Sequence, residues 1–115
     1  MKKYEVIVTP EAEAGIVAAF RYIHDRSPQS ASKWLRALYS KIFTLESFPR
    51  RCSIAREQEY FEEELRQLIF KSHRIIFQIE EKASVVRVLY IVHARQRAVG
   101  EREEDCYGQA EQDSE

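Results

Sequence analysis

The stretch that decides the fold is Leu65–Arg97, LRQLIFKSHRIIFQIEEKASVVRVLYIVHARQR. It contains three short runs rich in Ile, Val, Phe and Tyr, at Leu65–Phe70, Arg74–Ile79 and Val85–Val92. Each run has the length and composition of a β-strand. The polar residues between the runs suit hairpin connections of a few residues. This third of the chain therefore predicts three consecutive antiparallel strands.

The segment before this meander predicts one strand and two helices. Lys3–Thr9 alternates between apolar and polar residues, as a half-buried strand does. Thr9-Pro10-Glu11 is a helix start, with an N-cap residue, a proline at the first helical position and an acid in the first turn. Ser27-Pro28 repeats the start signal and separates two helices. Both helices carry apolar stripes, at Ala12, Ile16, Ala19, Phe20 and Ile23, and at Ala31, Leu35, Leu38, Ile42 and Leu45 with Trp34 beside them.

The element order is therefore βααβββ, and the fold class is α+β. We expect a small antiparallel sheet with the N-terminal helical hairpin on one face. The first strand has to pair with one of the three later strands, and the sequence does not say which. Residues 50–64 are polar and predict a loop, with or without a helical turn.

Charge divides the chain into two unequal parts. Residues 101–115 hold seven acidic side chains and one basic one, which leaves 17 basic and 12 acidic side chains in residues 1–100. We therefore expect one domain over residues 1–100, followed by an acidic, disordered tail over 101–115 that either solubilises the chain or shields its basic face.

Composition excludes several classes of protein. No apolar run is long enough for a membrane span, and the N-terminus lacks the apolar core of a signal peptide. Two cysteines, Cys52 and Cys106, do not make a disulfide framework, so we expect a reduced, cytoplasmic protein. No histidine or cysteine has metal-ligand spacing, so neither a metal nor a cofactor is expected.

The candidate site residues are arginines in the predicted strands or just after the last one. Arg74 opens the predicted middle strand, and alternation places it on the face opposite Ile75, open to solvent if the helices cover Ile75. An arginine fork suits phosphate, so a cluster on a concave sheet would form an anion site. We expect Arg74→Ala to leave the fold intact, since a solvated arginine contributes little stability. The predicted phosphate- or target-binding residues are Arg66, Arg74, Arg95 and Arg97.

Two histidines accompany these arginines. His93 follows the last strand, and it is the candidate for proton transfer near neutral pH. His73 is expected in a turn at the surface.

The chain resembles the RelE/ParE superfamily of toxins from type II toxin–antitoxin systems, also called the plasmid stabilisation family. The resemblance extends from about residue 3 to residue 97. The residues that carry it are Thr9-Pro10-Glu11-Ala12, Tyr22-Ile23, Pro28, Ala31, Trp34, Leu45-Glu46-Ser47-Phe48-Pro49, Leu65-Arg66, His73-Arg74-Ile75-Ile76-Phe77 and Val86–Arg95.

The resemblance implies a toxin neutralised by a cognate antitoxin protein. Its RelE branch cuts mRNA on the ribosome without a metal, and its ParE branch poisons DNA gyrase. In the RNA-cutting members an arginine that opens the middle strand contacts the scissile phosphate. Arg74 matches it and Arg95 matches a second arginine, so the catalytic residues would be Arg74, Arg95 and His93 if the chain is an RNase.

Two departures favour the ParE branch. The tyrosine that the RNA-cutting members carry a few residues later has no counterpart near Glu101, and Leu65 and Gln67 stand where some members have lysines. We therefore expect a ParE-like, gyrase-directed toxin. The alternatives are a metal-independent mRNA interferase acting on the ribosome, and a degenerate, non-toxic member that binds only the antitoxin.

Overall fold

A computed structural model describes residues 2–94, which contain two helices and five strands. The elements are β1 (Glu5–Val8), α1 (Pro10–Arg26), α2 (Pro28–Phe43), β2 (Ser53–Ile54), β3 (Arg66–Phe70), β4 (His73–Glu80) and β5 (Val85–His93). Short 3-10 turns lie at Thr44–Glu46, Pro49–Arg51 and Arg56–Tyr60. The predicted acidic tail lies outside the described residues.

All five strands form one sheet in the order β1-β5-β4-β3-β2. The predicted meander is present, because β3 pairs antiparallel with β4 and β4 with β5. The α+β prediction with its element order is confirmed, with two differences. The first strand pairs in parallel with β5, which makes the sheet mixed, and the two-residue β2 adds an edge strand within the predicted loop.

The helix boundaries follow from two capping residues. The Thr9 side chain accepts a hydrogen bond from the Ala12 backbone N–H at 3.3 Å, which begins α1. Ser27 ends α1 and begins α2, since its N–H donates to the Ile23 carbonyl and its Oγ accepts from the Ser30 N–H. The extended backbone of Ser27, with φ of −158°, turns the chain sharply between the helices.

The helices cover one face of the sheet and form the main core there. Their predicted stripes are confirmed, with Ile16, Leu38 and Ile42 almost fully buried. They pack against the strand residues Leu68, Phe70, Ile75, Phe77, Val86, Val88 and Ile91. Gly15 lies where α1 comes closest to β5, and a Cβ at this position would lie 3.0 Å from the Ile91 carbonyl oxygen.

The opposite face of the sheet is covered in part. The connection between β2 and β3 crosses it, and Ala55 and Leu65 pack there on Ile76. Phe61 of the same connection lies against Tyr90, with 6.4 Å between ring centroids. The expectation of an open face is therefore wrong around Arg74. Across residues 2–94, none of the helices is long and apolar enough to cross a membrane.

Candidate functional site

Arg74 is buried and bound to a carboxylate. It is the second residue of β4, after His73, and only 3% of its surface is exposed. Its Nη1 donates to Glu57 Oε1 at 2.9 Å and its Nη2 to Glu57 Oε2 at 2.8 Å. This bidentate arrangement is the strongest form of an arginine–carboxylate contact. Glu57 is fully buried, so the two charges neutralise each other out of contact with water.

The Arg56–Tyr60 turn brings Glu57 to this position. Gln58 fixes the turn, because its Oε1 accepts from the Leu65 N–H at 2.6 Å and its Nε2 donates to the Glu63 carbonyl at 2.9 Å. Gln67 on the neighbouring strand accepts a further bond from Arg74 Nη1 at 3.2 Å. The Arg74 guanidinium therefore lies beneath a loop that hydrogen bonds hold in place. Its Nη1 is bound to Glu57 and Gln67, and its Nη2 is bound to Glu57.

The expectation that Arg74 is solvated is wrong, and Glu57 is the residue that sequence reasoning missed. The face assignment itself was right, since Arg74 lies on the side of the sheet opposite the helices. A buried strand arginine requires a counter-charge, which would have pointed to an acid in the predicted loop. That loop contains five glutamates, so the rule alone does not select Glu57.

Arg66 lies on the other face of the sheet. It alternates in step with Leu68 and Phe70, which belong to the helix-covered core. Its Nη1 donates to the Cys52 carbonyl at 2.6 Å, and only 17% of its side chain is exposed. Arg66 thus links β3 to the residue that precedes β2 at the edge of the sheet. The structure does not bring Arg66 together with Arg74. Arg95 and Arg97 lie outside the described residues, and their roles stay predictions.

The two histidines form the second candidate site. His73 begins β4, so its predicted place in a turn is wrong, and it pairs with His93 across the β4–β5 ladder. Their ring centroids lie 5.2 Å apart, and the Trp34 ring lies 5.4 Å from His73. Burial first, and then the electrostatic effect of the neighbouring His93, lower the pKa of His73 below its ordinary value, which favours the neutral form.

Both rings line a groove of about 630 Å³ between α1, the β3–β4 hairpin and the end of β5. Its walls are largely apolar, and they include Ala19, Tyr22, Ile23, Trp34 and Ile91. Lys71 and Ser72 of the hairpin add a cation and a hydroxyl. In size and lining this groove is typical of binding sites.

A third polar cluster lies at the opposite end of the sheet. Glu81 accepts hydrogen bonds from Lys2 at 2.6 Å, from Arg50 at 3.0 Å and from Tyr4 at 2.9 Å. These hydrogen bonds lower the pKa of the Glu81 carboxyl to about 2, and the bond from Lys2 has the largest effect. The cluster joins the N-terminus to the β4–β5 turn.

The family follows from comparison with known proteins. The family model for the ParE toxin of the type II toxin–antitoxin system parDE matches residues 6–98. The chain belongs to the ParE toxin family. Its Arg74 and His93 lie within the matched region. Comparison with curated protein sequences finds no significant match.

Solved toxin structures share the fold of this ParE family member. A chain of the chromosomal ParDE toxin–antitoxin system from P. aeruginosa superimposes with a TM-score of 0.66 at 16% identity, covering 79% of this chain and 96% of that one. The toxin–antitoxin complex RelBE2 from Mycobacterium tuberculosis gives 0.57 at 20% identity, covering 81% and 93%. A free E. coli RelE variant with two arginines changed to alanine gives 0.52 at 14% identity, covering 98% and 99%.

Proposed function

We propose that this member of the ParE toxin family inhibits growth by binding DNA gyrase, and that a cognate antitoxin neutralises it. The antitoxin part is supported by the structural neighbours, two of which come from toxin–antitoxin complexes or systems. The gyrase part is supported by the match to the ParE family over most of the domain.

The observation that carries the choice of target is the burial of Arg74. An arginine that contacts a scissile phosphate has to present its fork to the substrate. Here Nη1 and Nη2 are both bound to Glu57, and Nε is shielded from solvent. A phosphate would have to displace a buried carboxylate and lift the Arg56–Tyr60 turn. We infer that Arg74 stabilises the fold and makes no substrate contact.

Arg66 supports the same choice. Its guanidinium is bound to the Cys52 carbonyl on the face opposite Arg74, so the two cannot grip one phosphate group. Gyrase inhibition needs a binding surface and no catalytic arginine. The surface we propose for target binding is the end of β5 with the basic residues that follow it, Arg95 and Arg97.

A test in vitro separates the targets. Purified protein is added to DNA gyrase in a supercoiling assay, and in parallel to ribosomes translating a defined mRNA. We expect inhibited supercoiling, relieved by the cognate antitoxin, and intact mRNA. Cut mRNA with unaffected supercoiling would overturn the proposal in favour of a ribosome-dependent RNase.

A further inference from the structure

The backbone holds His73 and His93 opposite each other on neighbouring strands. The Ala94 N–H donates to the Ser72 carbonyl at 2.6 Å, next to the His73–His93 pair. This pattern makes the two histidines a non-hydrogen-bonded pair, the type in which cross-strand side chains come closest. Twenty positions separate them in sequence, so only the folded hairpin brings them together.

The spacing of the two rings suits a shared metal ion. An imidazole nitrogen lies about 2.0–2.1 Å from a bound Zn²⁺, which puts two ring centroids roughly 5 Å apart at a tetrahedral angle. The centroids of His73 and His93 are 5.2 Å apart, with 71° between the ring planes. The strand pair therefore holds the two rings at the required separation.

The His73 ring is available to an ion. Its Nδ1 is buried and has no hydrogen-bond partner among the described residues, so turning the ring breaks no bond at that atom. Buried polar atoms without a partner are rare, so this nitrogen is a candidate ligand atom.

The groove gives an ion access and room for water. Both histidines line it, and so does the Ser72 hydroxyl. Among the lining residues, Lys71 carries the positive charge that would repel a metal ion. Its Nζ lies over the Phe70 ring, 5.4 Å from the ring centroid. No group of three histidine, cysteine or acidic side chains with ligand geometry occurs in residues 2–94, so the described part of the chain would supply two ligands.

We propose that His73 and His93 form a two-imidazole site for a first-row transition-metal ion, with water in the remaining positions. This proposal does not rest on the proposed toxin function, although His93 lies at the end of β5, where we place the target-binding surface. A bound ion would link the start of β4 to the end of β5. Among the divalent ions Cu²⁺ binds such nitrogen sites most tightly, so Cu²⁺ is the probe to use.

Trp34 reports on this site directly. It is the only tryptophan in the chain, and its ring lies 5.4 Å from His73. Bound Cu²⁺ quenches nearby indole fluorescence, so untagged protein is titrated with Cu²⁺ while Trp34 emission is followed. A Cys106→Ser background removes the thiol outside the described residues, and Cys52 is buried. We expect saturable quenching with one ion per chain, reversed by a chelator and competed by Zn²⁺.

Variants decide whether the histidines hold the ion. His73→Gln and His93→Gln should each weaken Cu²⁺ binding about tenfold or more, since each removes one ligand. The matched control is His24→Gln, because His24 is exposed near the end of α1, and this variant should bind Cu²⁺ like the parent protein. Unchanged binding in both site variants, or no saturable quenching in the parent, would overturn the proposal. If one variant does not fold, the other together with the parent titration still decides it.

Discussion

Replacing Arg74 is the perturbation whose outcome differs most between a solvated and a buried arginine. The side chains of Arg74 and Glu57 are 4% and 0% exposed, and two bonds of 2.8–2.9 Å join them. Arg74→Met removes one charge, keeps most of the volume and deprives the buried Glu57 of its two hydrogen bonds to the guanidinium. The Arg56–Tyr60 turn then carries a buried carboxylate that has lost its guanidinium.

The magnitude follows from the burial of the pair. Breaking a buried ion pair by removing one partner costs about 3–5 kcal/mol. In a domain of this size each kcal/mol lowers the melting temperature by about 4–8 °C, so we expect a fall of roughly 12–40 °C. The double variant Glu57→Met/Arg74→Met should recover most of the loss, because replacing both charges by apolar groups is often neutral.

The assay is urea-induced unfolding. It compares the parent protein with Arg74→Met, with Glu57→Met and with the double variant. Arg87→Met is the matched control, because Arg87 pairs with Glu80 at 3.1 Å on the surface, with side chains 36% and 44% exposed. Such exposed pairs contribute about 0–1 kcal/mol. An Arg74→Met variant as stable as Arg87→Met, or a double variant less stable than both singles, would refute the buried-pair reasoning.

Three further predictions concern residues that hold the sheet and α1 in place. Arg66→Ala should lower the free energy of unfolding by about 1–3 kcal/mol, since its bond to the Cys52 carbonyl is lost; a change below the error of a urea titration would contradict this. Thr9→Ala should cost about 1 kcal/mol in thermal unfolding through the lost N-cap, while Thr9→Ser should keep most of it. Glu81 has a lowered pKa, so its stabilisation is present above the ordinary value of 4.5 and is lost as pH falls to about 2. Glu81→Gln should therefore reduce the change in the free energy of unfolding between pH 4.5 and about pH 2. An unchanged pH profile would show that the Glu81 hydrogen bonds are not formed in solution.

Local signals in the sequence were sufficient for most of the fold. The Thr9-Pro10 and Ser27-Pro28 starts placed both helices, because capping depends on residues next to each other. The apolar stripes and the strand alternation selected the faces that pack together. The short β2 and the parallel partner of β1 were not predicted, since strand pairing is a non-local property that two or four residues do not encode.

The candidate site was harder to predict, and for a physical reason. Alternation gives the side of the sheet on which Arg74 lies, but its exposure depends on what the β2–β3 connection does. That connection has no period of its own and is fixed by individual contacts, among them the Gln58 bonds and the Phe61–Tyr90 packing. The sequence likewise did not show that His73 and His93 lie side by side, because their pairing depends on the register of β4 and β5.

The central claim is that this ParE family toxin acts without Arg74 as a phosphate contact. The most direct measurement induces the parent and the Glu57→Met/Arg74→Met variant without antitoxin and follows labelled precursors into DNA and protein at early times. A single Arg74 substitution is unsuitable, because unfolding alone would abolish toxicity. We predict early arrest of DNA synthesis by both proteins. Early arrest of protein synthesis with cut mRNA, lost in the folded double variant, would contradict the account.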